Sequence, residues 1–123
     1  KIRKESYLGI DVVPDMVAAA RKRRPTWRFE VGDIRVPQPE WESDYVVASG
    51  LFQFPTLPQI FSHLFTLCRK GIACNFLRAG QEPEYIAQPE QVLNMALHLT
   101  PWVRLHADYL PNDFTIFCYK EQP

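Results

Sequence analysis

Two strand-like segments, residues 103–109 and 114–120, close the chain, and only LPND (110–113) lies between them. A connection that short cannot hold a crossover helix, so the two strands must run antiparallel. Everything before them alternates differently. The apolar run at 7–11 ends on Asp11, and Pro14 then opens a helix that reaches a basic turn and stops at Pro25. Residues 27–31 form a second strand closed by Gly32-Asp33, and residues 45–49 form a third, closed by Gly50. A helix follows Pro58, with Ile60, Phe61, Leu64, Phe65 and Cys68 on one face. Lys70-Gly71 ends it, residues 72–76 make a fourth strand, and Pro89-Glu90 opens a helix carrying Val92, Leu93, Ala96 and Leu99. Strand–helix alternation followed by a hairpin predicts an α/β fold of three layers, with a mostly parallel sheet and an antiparallel C-terminal edge. A chain of 123 residues holds one such domain, spanning 1–123.

Charge excludes some functions. Fourteen basic side chains balance fourteen acidic ones, which speaks against a nucleic-acid binder. The cluster RKRR (21–24) reads as the solvated, dipole-favoured end of a helix. No stretch of 18 apolar residues predicts a membrane span, and the first residues do not form a signal peptide. Cys68, Cys74 and Cys118 lack metal-ligand spacing and lie among apolar neighbours, as core thiols of a reducing compartment do. No metal is expected, and the expected location is the cytoplasm.

Five segments in order carry a family resemblance: YLGIDVVPDM (7–16), FEVGD (29–33), DYVVASGL (44–51), RKGIACNFL (69–77) and DFTIFCYK (113–120). Their order and spacing, with the closing hairpin, resemble the later part of a class I S-adenosylmethionine-dependent methyltransferase. The resemblance implies a Rossmann-like sheet in the order 27–31, 7–11, a vacancy, 45–49, 72–76, 114–120, 103–109. The vacancy stands where the family has its first strand and glycine-rich turn, for which these residues offer no counterpart. The sequence therefore reads as N-terminally incomplete, and binding of cofactor by these residues alone is expected to be weak or absent.

The same resemblance assigns an S-adenosylmethionine site at the carboxyl ends of the strands. Asp11 would accept both ribose hydroxyls, since a carboxylate offers two oxygens to a vicinal diol. Val12 would lie against the adenine, Asp33 would accept from its amino group, and Ile34 would add a backbone N–H and an apolar wall. Ser49, Gly50 and Leu51 would form the floor, where glycine permits close approach. Methyl transfer is an in-line displacement that depends on positioning, so a general base is optional and no catalytic residue is assigned. His63, His98 and His106 read as packed or solvent-facing, and Tyr85 as a candidate lining residue for a small-molecule acceptor.

Two other readings compete. A non-catalytic, self-associating α/β domain that binds no cofactor would expose apolar strand edges and form homodimers through them. A nicotinamide-binding domain would explain Asp11, but neither Asp33 nor the antiparallel ending.

Overall fold

A computed structural model describes residues 3–49, 56–80, 83, 86–107 and 110–123. The chain divides into two compact units, Lys1–Trp41 and Glu42–Pro123.

In the first unit, β1 (Leu8–Asp11) pairs in parallel with β2 (Arg28–Val31), and α1 (Pro14–Arg23) connects them. Pro14 stands in the first turn of α1 with Asp15 beside it, and Arg21, Lys22 and Arg23 fill the last turn, each charge matching its end of the helix dipole. Arg21 does more than face solvent: its Nη2 donates to the Phe29 carbonyl at 2.8 Å. Tyr7 meets Trp27 and Phe29 edge-on, with ring centroids 4.9 and 5.9 Å apart. Gly9 makes this cluster possible, because a Cβ there would stand 2.6 Å from the Phe29 ring. Gly32 works the same way beneath the Trp41 indole, 2.5 Å from where its Cβ would be. The Trp41 N–H donates to Glu30 Oε2 at 3.2 Å.

The second unit holds β3 (Ser43–Ser49), α2 (Leu57–Leu67), β4 (Cys68–Leu77), α3 (Pro89–Leu97), β5 (Val103–His106) and β6 (Asp113–Tyr119). Its sheet runs β3-β4-β6-β5, parallel between β3 and β4 and antiparallel at the other two pairings. The strand order inside each sheet and the antiparallel hairpin agree with the expectation. The expected mostly parallel sheet does not: parallel and antiparallel pairings are equal in number among the described strands. The reason is β6, which returns between β4 and β5 and pairs antiparallel with both. Two boundaries also shift. β4 begins at Cys68, directly after α2, because Cys68 already pairs with Ser43, so Cys68 belongs to the strand and not to the helix face. The described part of β5 ends at His106.

Register across the sheet sorts its side chains. Ile72, Cys74 and Phe76 on β4 share a face with Cys118, Ile116 and Phe114 on β6, and all six are buried. Phe76 stacks on Phe114 at 5.3 Å and meets Phe61 of α2 edge-on at 6.0 Å. α3 packs against β5 and β6 with Val92 and Ala96 fully buried. Both helices of this unit therefore cover one face, and the face carrying Tyr45, Val47, Phe117 and Tyr119 keeps partial or full exposure. Thr100, buried and polar, donates to the Tyr119 carbonyl at 2.7 Å and accepts from the Trp102 N–H at 3.1 Å. Among the described residues no helix is long and apolar enough to cross a membrane.

Candidate cofactor site

The first unit gathers four assigned residues at one end of its sheet. Asp11 is the last residue of β1, and its carbonyl accepts from the Gly32 N–H at 2.9 Å, just beyond the end of β2. Asp33 and Ile34 follow Gly32, and Val12 follows Asp11, so all four stand at the carboxyl ends of two adjacent parallel strands.

Their chemistry differs. Asp11 Oδ1 accepts from the Val13 N–H at 2.8 Å, which fixes the side-chain rotamer in a short turn. Oδ2 accepts nothing among the described residues, and Oδ1 keeps a second lone pair, so both oxygens can still accept from a diol. Val12 is 57% exposed and Met16 is 58% exposed, an apolar surface beside a polar acceptor. This suits the flat base and the hydroxylated sugar of an adenosine group.

Asp33 is already engaged. Arg35 grips it from four directions: its backbone N–H on Oδ1 at 2.9 Å, Nε on both oxygens at 3.0 and 3.1 Å, and Nη2 on Oδ2 at 2.7 Å. The guanidinium hydrogen bonds, then the backbone N–H, hold the Asp33 carboxyl below its ordinary value near 3.8. An adenine amino group could reach this carboxylate only after Arg35 swings aside. The ribose position fits the group as the chain stands, and the adenine position fits on that condition.

Ser49 belongs to the second unit, at the carboxyl end of β3, where its hydroxyl donates to Asn75 Oδ1 on β4 at 3.3 Å. Gly50, Leu51 and Tyr85 lie outside the described residues. His98 Nδ1 lies 2.8 Å from the Asn94 carbonyl, and the His106 ring meets Phe117 edge-on at 5.2 Å. Sequence reasoning passed over Asn75 and Arg78. The signal for Asn75 was available: it is the lone amide in an apolar strand, and its Nδ2 reaches Asp113 Oδ2, the Phe114 carbonyl and Thr115 Oγ1, each at 3.4 Å. Among the described residues no His, Cys, Asp and Glu cluster could hold a metal ion.

Known proteins share this architecture. The magnesium protoporphyrin IX methyltransferase of Synechocystis PCC 6803, solved with bound S-adenosylmethionine, superposes with a TM-score of 0.72 at 13% identity, over 93% of this chain and 59% of that one. An N-methyltransferase of Bradyrhizobium japonicum WM9 gives 0.66 at 14% identity, over 97% and 75%. The fold is that of a class I methyltransferase. Sequence similarity to curated methyltransferases points the same way. A trans-aconitate 2-methyltransferase of Rhizobium meliloti is 36% identical over 85 residues, 69% of this chain and 32% of that protein. The counterpart in an Escherichia coli strain is 36% identical over 87 residues. The chain spans about a third of the length of these curated relatives. No family model matches it. The methyltransferase resemblance of the five segments is thereby supported from sequence and from fold.

Proposed function

We propose that this chain, by itself or within a longer protein, serves S-adenosylmethionine-dependent transfer of a methyl group to a small-molecule acceptor, its two units being parts of one methyltransferase domain. The observation that carries this reading is Asp11: a carboxylate at a parallel strand's carboxyl end, locked by Val13, with acceptor positions open beside exposed Val12. Similarity to curated methyltransferases supports it. In this reading Asp11 and Val12 hold the ribose and adenine, with Asp33 and Ile34 around the base. The cofactor supplies an electrophilic sulfonium methyl. The chain's part is to hold that group and the acceptor in line and to keep water away. The buried, unpaired thiols favour a reducing compartment, the cytoplasm.

The test is an NMR titration of the 123-residue chain with adenosine and with S-adenosylhomocysteine. No residue here is assigned to the methionine end, and each missing hydrogen bond is worth about 1 kcal/mol. Weak, saturable shifts are expected at residues 11–13 and 33–35, and Asp11→Ala should remove them. Shifts that survive in Asp11→Ala, or that gather elsewhere, refute the assignment.

A further inference from the structure

The charge balance of the whole chain is made of two unequal parts. Residues 1–41 hold nine basic and six acidic side chains, and residues 42–123 hold five and eight. The first unit is therefore cationic, and within it the charges are sorted again. Asp11, Asp15 and Asp33 stand where β1 and β2 end and α1 begins. Cations gather at the opposite end: Arg3 and Lys4 ahead of β1, Arg21, Lys22, Arg23 and Arg24 closing α1, and Arg28 opening β2. Leu8 and Arg28 are register partners, and Tyr7 meets Trp27 at 4.9 Å, so the two stretches converge.

All seven of these cations are exposed. Arg21 reaches the Phe29 carbonyl, Arg28 pairs with Glu30 at 2.7 Å, and the Arg24 guanidinium lies 5.7 Å from the centre of the Trp27 ring. Glu5 is the other acid beside them. The helix dipole accounts for a basic last turn in α1. It does not account for Arg3 and Lys4, which belong to a different element and crowd like charges together at a cost in stability.

We propose that this end of the first unit binds the phosphate backbone of a single-stranded nucleic acid. Net neutrality speaks against such a partner for the chain as a whole, but it does not hold for this unit, and a basic face is the electrostatic footprint of a nucleic-acid binder. Five of the seven cations are arginines, whose planar fork matches phosphate oxygens in pairs. Tyr7 and Trp27, half-buried among them, offer rings against which bases stack. An anionic membrane fits less well. The exposed apolar side chains Val12, Val13, Met16 and Val31 cluster at the Asp11 end, whereas a membrane site needs charge and apolar surface together. β1 spans four residues at about 3.3 Å each between the cations and Asp11, so the bound strand is held away from the cofactor position. The site is a tether for the nucleic acid and does not rest on the methyltransferase reading.

The test is fluorescence anisotropy of a labelled uridylate dodecamer with the 123-residue chain, and NMR to locate the contact. Saturable binding is expected, with shifts at residues 3–7 and 21–28. With about four phosphate contacts, affinity should fall about fifty-fold between about 50 and 200 mM salt. Arg23→Glu combined with Arg24→Glu should weaken binding by roughly thirty-fold or more at low salt. Arg104→Glu combined with Lys120→Glu, an equal change of net charge in the second unit, should alter it by less than about three-fold. Equal losses in the two double variants overturn the proposal, because bulk charge then suffices. Absent or salt-insensitive binding overturns it too. So does equal or tighter binding to vesicles of phosphatidylcholine and phosphatidylserine, or to polyglutamate, since the site would then be a membrane contact or a general anion surface. If the Glu variant of the basic end does not fold, Arg23→Gln combined with Arg24→Gln decides, and wild-type affinity there also defeats the assignment.

Discussion

Two carboxylates at successive strand ends have opposite availability. Asp11 gives one lone pair to Val13 and keeps the rest, whereas Asp33 is surrounded by Arg35. Arg35→Ala should therefore do two things. It should raise the Asp33 pKa back toward 3.8, because the guanidinium hydrogen bonds are the first cause of its depression. It should also strengthen adenosine binding several-fold if Asp33 accepts the adenine amino group, since the displacement of Arg35 then costs nothing. The sign for stability follows from the depressed folded value. The Asp33–Arg35 contribution is present above the unfolded pKa and is lost as pH falls below it through the folded one. The pair is exposed, so that contribution is small. Carboxyl-detected NMR in acid checks the first expectation, and calorimetry with adenosine checks the second.

Strand β3 is the element most open to association. Among the described strands it pairs only with β4, and Val47 is 78% exposed with Tyr45 at 59%. No proline or lysine guards it, and its one charge, Asp44, is occupied by Arg69 and Lys70. Edges of this kind template pairing with another chain. The expected outcome is concentration-dependent dimerisation, weakened several-fold by Val47→Lys with the fold intact. Sedimentation of both proteins measures it, and a wild-type monomer at high concentration speaks against it. Helix α2 makes the contrasting case. Phe61 is fully buried against Phe76, so Phe61→Ala should cost about 3–5 kcal/mol in denaturant unfolding.

Across the molecule, the two units differ in what holds them. The first has a two-stranded sheet of four-residue strands, and the second a four-stranded sheet under two helices. Amide exchange should accordingly be slowest in β4 and β6 and much faster in β1 and β2. The three thiols lie in the second unit and are all buried. Burial pushes the Cys118 thiol up to about 12 and raises Cys74 and Cys68 as well. Alkylation at mildly alkaline pH should thus be slow in the native protein and fast once it unfolds. Rapid native labelling of Cys74 would show that the second unit opens locally.

Local signals in the chain determined the element types and the antiparallel hairpin, and the family resemblance supplied the strand order within each sheet. Pro14, Pro25 and the LPND turn act through backbone geometry, which needs no distant partner. Apolar periodicity likewise marked Phe61, Leu64 and Val92 as core. Boundaries that depend on pairing were not legible. β4 starts at Cys68 because Ser43, 25 positions earlier, offers its backbone there. The state of the site was decided closer at hand, through partners two residues along the chain whose geometry is fixed only on folding. Asp11 and Asp33 look alike along the chain, and only folding showed that Val13 orients the one while Arg35 occupies the other. Arg78 is one arginine among many until the carbonyls of Ala107 and Pro111, about thirty residues on, close around it. A side chain's type is written in sequence. Whether its charge and lone pairs remain free depends on which groups, near along the chain or far, the folded structure brings within hydrogen-bonding reach.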